Sequence, residues 1–293
     1  MRAQNLPGPL KNIQWKAQKR LRALLRRDSR ELAAAVQEAM HLVIQQSHQP
    51  NWPTVSPVID RNDMMYEGEA LFYFSSGYSA LHSIRRALDK AGKTRVKSIL
   101  DFGCGHGRVL RTLAAEFPGA ALVAADTNKS GVNFCAKQFN AQPIHSNTEF
   151  SNLVFPAKFD LIWVGSVFTH ISAGRWTTLL ELLRSTLADD GLLVFSTHGP
   201  DAERRLRDQQ VLLFNLEPER IARILANYDA QGFGYCDYRR YPGYGVSLSS
   251  VHWVTRQVNA VDMEVISYQE SAWDNFHDVW GARPIDASAA DSK

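Results

Sequence analysis

Only three of the 293 residues are cysteines, and they stand far apart at Cys104, Cys135 and Cys236. This number and spacing exclude a disulfide framework and a cysteine-rich metal site. No run approaches the roughly 18 apolar residues that a membrane-spanning helix needs, and the polar residues 1–14 lack the apolar core of a secretory signal. The sequence therefore predicts a reduced, cytoplasmic protein without a membrane span or a bound metal.

Low-complexity segments and internal repeats are also missing. With 45% hydrophobic and 22% charged residues, the composition is that of an ordinary globular protein. The net charge of +3 is too small to indicate nucleic acid as an obligatory partner. This charge is unevenly distributed, because residues 1–50 contain nine Lys or Arg and only three Asp or Glu.

The basic excess lies on a predicted amphipathic helix over 15–46, whose apolar residues recur at three- and four-residue steps. Three prolines between 50 and 57 end this helix. We therefore interpret residues 1–60 as a basic helical extension and linker before a domain over 61–293. The apolar stripe of the helix would pack on the domain or on a second subunit in a homodimer. Contact of the basic face with anionic phospholipid, or with an acidic or RNA substrate, is the alternative.

From about residue 95, short apolar strands alternate with helical segments. The predicted strands are 96–101, 121–126, 142–145, 159–164 and 191–197. This alternation indicates βαβ units in an α/β, Rossmann-like, doubly wound and mostly parallel sheet. Two further strand candidates, 263–268 and 276–280, would add a terminal antiparallel hairpin over 261–283.

A glycine-rich turn over 103–107, with the pattern Gly-x-Gly-x-Gly, follows the first predicted strand. Glycines let the backbone turn sharply there and approach a ligand closely. A dinucleotide-binding fingerprint would have its third glycine at position 108, where this chain has Arg108. Asp101 precedes the turn, and a carboxylate there can hold a cationic amino-acid group. Asp126 ends the next strand, where an acid can accept hydrogen bonds from ribose hydroxyls.

These features resemble the class I S-adenosylmethionine (SAM)-dependent methyltransferases. The run Leu-Asp-Phe-Gly-Cys-Gly-His-Gly-Arg at 100–108 is similar to the first motif of that family, and Leu-Val-Ala-Ala-Asp at 122–126 to its second. Residues 159–170 resemble the fourth-strand motif. Residues 187–195 resemble the segment that leads into the fifth strand, with Asp-Asp-Gly where the family usually has Pro-Gly-Gly. The likeness covers roughly 95–198, which would be the core of the domain, and implies SAM as the cofactor.

The resemblance also implies where SAM binds. Asp101 and the glycine turn would contact its methionine and ribose side, Asp126 its ribose, and Asn147 or Glu149 would lie near its adenine. Gly165 and Ser166 would lie beneath the sulfonium. The predicted cofactor-binding residues are Asp101, Gly103, Cys104, Gly105, His106, Gly107, Asp126, Thr127, Asn147, Gly165 and Ser166.

Two histidines are candidates for the general base. Methyl transfer from a sulfonium is an in-line displacement in which alignment supplies most of the rate, and a hydroxyl acceptor also needs a base. His170 and His198 follow the fourth and fifth strands, at the carboxyl edge where ligands bind in open α/β sheets. His170 is preferred, and the alternative for it is a structural bond to the backbone near Ser172.

Aromatic residues flank the core on both sides. Tyr73 and Tyr78 precede it and would either form a lid over the cofactor or pack into the core. Tyr241 and Tyr244 lie in the region 199–260, where this family usually has a substrate cap. The four tyrosines are our candidates for substrate contact, and they suit a ring-bearing or glycosidic acceptor.

The sequence thus predicts a SAM-dependent methyltransferase that acts on an oxygen or nitrogen of a small-molecule or glycan-type acceptor, similar to bacterial enzymes of that kind. The motifs of methyltransferases acting on nucleic-acid bases are absent, since the fourth strand continues as Val-Gly-Ser-Val at 164–167. A non-catalytic SAM- or nucleotide-binding partner subunit is the first alternative. An NAD-dependent oxidoreductase is the second, and Arg108 disfavours it.

Overall fold

The structure is a computed structural model that describes residues 29–147, 149–208 and 216–285. The most basic part of the predicted N-terminal helix, before residue 29, lies outside the described residues, as does segment 209–215 of the predicted cap. No helix within the described ranges is long and apolar enough to cross a membrane.

Strands and helices alternate through the middle of the chain. The strands are β1 Ser98–Phe102, β2 Ala121–Asp126, β3 Gln142–His145, β4 Phe159–Val164, β5 Leu187–Thr197, β6 Phe233–Tyr238, β7 Tyr241–Ser249, β8 Met263–Trp273 and β9 His277–Pro284. The helices are α1 Ser29–Ser47, α2 Ala70–Ala91, α3 Leu110–Glu116, α4 Lys129–Phe139, α5 Ala173–Thr186, α6 Pro200–Arg207, α7 Pro218–Gln231 and α8 Val251–Asn259.

Seven of these strands form one sheet in the order β3-β2-β1-β4-β5-β9-β8. Strands β1 to β5 run parallel, β9 runs antiparallel to β5, and β8 runs antiparallel to β9. The predicted Rossmann-like, mostly parallel sheet with a terminal hairpin is therefore confirmed. Both hairpin strands extend beyond their predicted ends, because cross-strand pairing of β8 continues as far as Trp273 with His277.

Helices cover both faces of the sheet. Ile99 and Leu161 point to the face covered by α1, α2, α3 and α4, whereas Leu100 and Ile162 point to the face covered by α5 and α8. All four side chains are fully buried. This burial explains why consecutive positions of the central strands are apolar, rather than every second one, and each such side chain contributes roughly 1.5–3 kcal/mol to folding.

The described part of the N-terminal extension, α1, packs on α2. Its buried side chains Leu32, Val36 and Val43 belong to the same hydrophobic core as the sheet. Three- and four-residue spacing places them on one face of the helix. The apolar stripe of this part is thus covered by its own chain, and a homodimer through the helix stays a prediction.

The region 199–260 contains α6, α7, α8 and a separate two-stranded sheet of β6 and β7. The Ser247 hydroxyl in β7 donates to the Phe168 carbonyl at 2.7 Å, which holds β7 against the turn after β4. Sequence reasoning predicted the helices over 217–229 and 250–260, but only an aromatic and glycine-rich segment over 232–245, where β6 and β7 lie. The periodicity of β7 was weak because its first four residues are exposed and include Gly243.

Candidate functional site

A cavity of about 580 Å³ opens at the carboxyl ends of β1, β2 and β4. Open α/β sheets bind their ligands at this edge. All the predicted cofactor-binding residues except Gly107 line the cavity, and so do His170 and Tyr244 among the other candidates. The structure therefore brings together residues that lie as much as 143 positions apart in the printed sequence, between Asp101 and Tyr244.

The glycine-rich turn forms one wall. Gly103, Gly105 and Gly107 have positive φ angles of 85°, 52° and 75°, which other residues adopt only with strain. A Cβ atom at Gly103 would lie 2.5 Å from the side chain of Val167, and one at Gly107 would lie 2.5 Å from Phe139. A Cβ atom at Gly105 would meet nothing within 4 Å. Gly103 and Gly107 are thus needed for packing, whereas Gly105 leaves open space on the cavity side.

Asp101 lies at the base of the cavity and is 2% exposed. Burial, followed by repulsion from the Asp126 carboxylate, raises the pKa of Asp101 to about 8. Its Oδ2 atom is buried and accepts no hydrogen bond from any described residue. A buried carboxylate oxygen without a donor is costly, and a cationic group bound in the cavity would supply one.

Asp126 bonds the glycine-rich turn to the start of α4. Its Oδ2 accepts from the Gly105 amide at 2.8 Å, and its Oδ1 accepts from the Asn128 amide at 2.7 Å. The carboxylate also lines the cavity, so a ribose would approach a group whose orientation is already fixed. Sequence reasoning predicted the ribose contact and missed this second role.

His170 lies at the opposite wall and is held in one tautomer. Its Nδ1 is 2.6 Å from the Gly245 carbonyl oxygen, and because a carbonyl only accepts, Nδ1 carries the proton. Nε2 is therefore an acceptor, 3.4 Å from the Ser166 hydroxyl. Burial lowers the pKa of His170 below its usual value, although the bond to Gly245 acts in the opposite direction. The ring is consequently neutral at pH 7.

The structure does not place His198 at the cavity wall, which corrects its assignment as a base. The side chain is 4% exposed, its Nδ1 bonds the Ser247 carbonyl at 3.0 Å, and its ring stacks on His277 at 5.1 Å. Burial, together with the neighbouring His277 and His170, lowers its pKa well below the usual value. His198 therefore supports β7 behind the wall that His170 forms.

His106 lies within the glycine-rich turn between two carboxylates. Its ring nitrogens are 3.7 Å from Asp60 and 3.9 Å from Asp63, and Nε2 is 3.4 Å from the Ser130 hydroxyl. The side chain is 3% exposed. This placement agrees with a role in orienting the turn rather than in moving protons.

Residues 52–66, which we call the strap, cross over the glycine-rich turn and are held by the buried Arg111. The guanidinium donates to the Ser56 and Val58 carbonyls at 2.6 and 3.0 Å and to the Tyr73 hydroxyl at 3.1 Å. Sequence reasoning predicted only a linker as far as residue 60. The spacing of the prolines predicts a linker, but it gives no information about which buried side chain binds the carbonyl groups of the strap.

Tyr73 and Tyr78 pack into the core, which is the second of the two alternatives for them and corrects their assignment as substrate contacts. Tyr73 is 1% exposed and donates to Asp63 at 2.6 Å, and Tyr78 has no exposed surface and donates to the Pro53 carbonyl at 2.7 Å. Tyr241 is exposed but does not line the cavity. Tyr244 does line it and packs on His170 with ring centres 4.7 Å apart.

Several cavity residues were missed by sequence reasoning. They are Asp63, Met65, Arg108, Trp163, Arg175 and Trp273, among others. Arg108 is part of the first motif, where it disfavours NAD, but the motif alone does not indicate that its side chain lines the cavity. Trp273 reaches the site from the end of β8, and no local sequence signal indicates this distant contact.

Among the described residues, no group of three or more His, Cys, Asp or Glu side chains is arranged to hold a metal ion. The residues of the cavity do fit SAM. The buried Oδ2 of Asp101 lacks a donor, and the Cα of Gly105 leaves room for a ligand. When bound, SAM supplies an electrophilic methyl group on a sulfonium.

Comparison with known proteins gives the same class. A family model described as a methyltransferase domain matches residues 75–267, so the chain belongs to that family. It is a class I SAM-dependent methyltransferase, and SAM is its cofactor. Family membership also decides against the NAD-dependent oxidoreductase and favours an enzyme over a non-catalytic subunit.

Two curated relatives are informative. A malonyl-(acyl-carrier protein) O-methyltransferase of Halalkalibacterium halodurans is 28% identical over 204 residues, which are 67% of this chain and 67% of the relative. A fatty-acid O-methyltransferase of Mycolicibacterium smegmatis is 28% identical over 134 residues, which are 43% of this chain and 47% of the relative. The alignment thus spans less than half of the second relative.

Solved structures share the fold at low sequence identity. A SAM-dependent methyltransferase from Clostridium acetobutylicum superposes with a TM-score of 0.51 and 14% identity, over 73% of this chain and 92% of the other. This likeness supports the arrangement of the sheet and says nothing about the acceptor.

Proposed function

We propose that the protein transfers the methyl group of SAM to an oxygen or nitrogen of a small-molecule or glycan-type acceptor in this cavity, with oxygen preferred and His170 as the general base. The observation that carries the proposal is the neutral His170 ring. Its Nδ1 is anchored to Gly245, while Nε2 lies beside Ser166, another residue of the cavity wall. A fixed, neutral acceptor is what removal of a proton from a hydroxyl requires.

The relatives favour oxygen over nitrogen as the acceptor atom. Their names assign O-methylation of malonyl-(acyl-carrier protein) and of a fatty acid. A carboxyl acceptor is the second candidate, because a fatty acid offers a carboxylate oxygen. The two acceptor types differ in mechanism: a carboxylate is already ionised at pH 7 and needs no base, whereas a hydroxyl does.

The test is an acceptor screen with purified protein and SAM, using phenols and glycosides in one set and fatty acids in the other. We expect methylation of hydroxyl acceptors, and a His170→Ala turnover about 100- to 10,000-fold lower while the SAM affinity changes little. His252→Ala, an exposed histidine on α8, is the matched control and should keep full activity.

The outcomes separate the interpretations. Equal loss of SAM affinity and turnover in His170→Ala would make His170 structural. If His170→Ala turns over fatty acids at the wild-type rate, a carboxyl acceptor that needs no base would be favoured. Binding of SAM with no turnover on either set would favour the non-catalytic subunit. With a hydroxyl acceptor, the rate should fall as the pH drops through the lowered pKa of His170, below the ordinary value of 6.5.

The cytoplasmic location stays a prediction, as does the absence of nucleic acid among its partners. The substrate-contact role of Tyr244 belongs to the proposal, because its ring covers His170 and would lie against an acceptor held there. The aromatic face suits a ring or a sugar, which is the physical basis for including phenols and glycosides in the screen.

A further inference from the structure

The guanidinium of Arg108 is a cationic group of the cavity to which the proposed function assigns no role. It follows Gly107 at the end of the glycine-rich turn and lines the cavity together with Trp273. The centre of its guanidinium lies 5.6 Å from the centre of the Trp273 ring. Within residues 29–147, 149–208 and 216–285, no hydrogen bond or ion pair reaches this guanidinium.

By contrast, three other arginines of the structure donate hydrogen bonds to protein acceptors. Arg111, one helical turn further on, donates to three carbonyl groups and one hydroxyl. Arg85 forms a bidentate pair with Glu116, with N–O distances of 2.7 and 2.6 Å. Arg175, on the far wall of the cavity, donates to the Gly243 carbonyl at 2.6 Å. Arg108 therefore stands apart as a cavity arginine whose donors reach no acceptor in the described part of the chain.

The groups around Arg108 do not neutralise it by direct contact. Burial raises the pKa of Asp274 and Arg108 acts in the opposite direction, but the Asp274 carboxylate accepts from the Ser76 hydroxyl at 2.8 Å and lies beyond ion-pair distance of the guanidinium. His277 faces the same cation and is neutral, because burial and Arg108 hold its pKa near 3. Tyr73 donates its hydroxyl to Asp63. Arg108 thus affects the pKa of Tyr73, His277 and Asp274 without a hydrogen bond or an ion pair to any of the three.

We propose that Arg108 is the carboxylate-binding residue of this cavity, a role that rests on the proposed function of the site. A guanidinium presents a planar fork of donors that matches a carboxylate, and such charge-assisted pairs are among the stronger hydrogen bonds in proteins. The carboxylate has two sources of the same chemistry: the α-carboxylate of SAM, or a carboxylate on the acceptor. With the donor-free Asp101 oxygen in the same cavity, Arg108 would complete a pair of opposite charges suited to the zwitterionic methionine end of SAM.

The experiment compares Arg108→Gln with wild type by titration calorimetry against three probes. The probes are SAM, decarboxylated SAM, and decanoate added to the protein saturated with S-adenosylhomocysteine (SAH). Arg108→Lys keeps the charge without the fork. Arg95→Gln also removes one positive charge, but at an exposed site near the amino end of β1, and serves as the matched control.

If Arg108 binds the SAM carboxylate, Arg108→Gln weakens SAM about 10- to 100-fold and leaves decarboxylated SAM unchanged, and Arg108→Lys is intermediate. If it binds an acceptor carboxylate, SAM binding is unchanged and decanoate binding is lost. Either result supports the proposal and identifies the source.

Equal affinities of Arg108→Gln and wild type for SAM and decanoate would overturn the proposal, and a lowered melting temperature alone would make Arg108 a structural neighbour of Asp274. This outcome leaves the methyltransferase function intact, since SAM still binds and turns over. Failure of the wild-type protein to bind SAM would instead overturn both the proposed function and the role of Arg108.

Discussion

The raised pKa of Asp101 makes SAM binding a proton-linked event. With a pKa of about 8, the Asp101 carboxyl of the free protein is almost fully protonated at pH 6.5. An α-amino group has a pKa near 8 and is still charged at this pH. If the ammonium of SAM binds the donor-free Oδ2 of Asp101, the carboxylate becomes the favoured form. Binding should then release about 0.9 proton per site, close to the protonated fraction itself.

Linkage converts this release into an affinity change. The logarithm of the binding constant changes with pH by the number of protons released. SAM should therefore bind nearly tenfold more tightly at pH 7 than at pH 6. Calorimetry at pH 6.5 in phosphate and in Tris measures the release directly, since the two buffers differ in ionisation enthalpy. The observed binding heat should differ between them by about 0.9 of that difference.

Two controls isolate Asp101. The nucleoside 5′-methylthioadenosine lacks the amino-acid group and should bind without proton release. Asp101→Asn preserves the size of the side chain but has no titratable proton, so it should bind SAM weakly and lose the steep pH dependence between pH 6 and 7. As the pH rises from about 4 to 8, wild type should lose stability, because the unfolded chain ionises Asp101 while the folded protein keeps it protonated. The Asp101→Asn protein has no such proton and should lose less stability over this range. A wild-type SAM binding heat that is the same in both buffers would refute the reasoning.

Two further predictions concern the walls of the cavity. Asp126→Ala should weaken SAM binding severely while the protein stays folded, since the donors that lose their acceptor are the Gly105 and Asn128 amides and the neighbouring Thr127 hydroxyl; unchanged affinity by calorimetry would contradict the ribose assignment. Gly107→Ala should lower the free energy of unfolding by about 1–3 kcal/mol or more, because its φ is positive and its Cβ would lie 2.5 Å from Phe139. Gly105→Ala has open space and should lose SAM affinity more than stability, so denaturant unfolding of the two variants should differ; equal destabilisation of both would show that Gly105 is also needed for packing.

Local sequence predicted those parts of the molecule in which neighbouring residues carry the function. The turn over 103–107 follows β1 directly, and the acids Asp101 and Asp126 lie in the consecutive strands β1 and β2. The apolar residues of the strands likewise predict a sheet buried on both faces. The carboxyl edge of a parallel sheet is a fixed place in the fold. His170, which follows β4, could therefore be placed at the cavity from its position in the chain.

Long-range packing supplied what local sequence could not. Whether an aromatic residue before the core forms a lid or fills the interior depends on what covers it, and Tyr78 is covered by the strap through the Pro53 carbonyl. His198 and His170 occupy equivalent positions after neighbouring strands. Both bond carbonyl groups of β7, but His198 is buried away from the cavity, whereas His170 lines it. Trp273 reaches the site only because β8 pairs far beyond its predicted end.

The strap shows that the site depends on residues outside the methyltransferase core. The family match begins at residue 75, yet Asp63 and Met65 line the cavity. The strap is held there by Arg111, which belongs to the core and donates to strap carbonyls. Arg111 also donates to the Gly107 carbonyl at 3.2 Å, so one buried guanidinium ties the strap and the glycine-rich turn together. Part of the cavity wall is thus built from residues that precede the core, so a change in the strap would alter the shape of the site without altering the sheet.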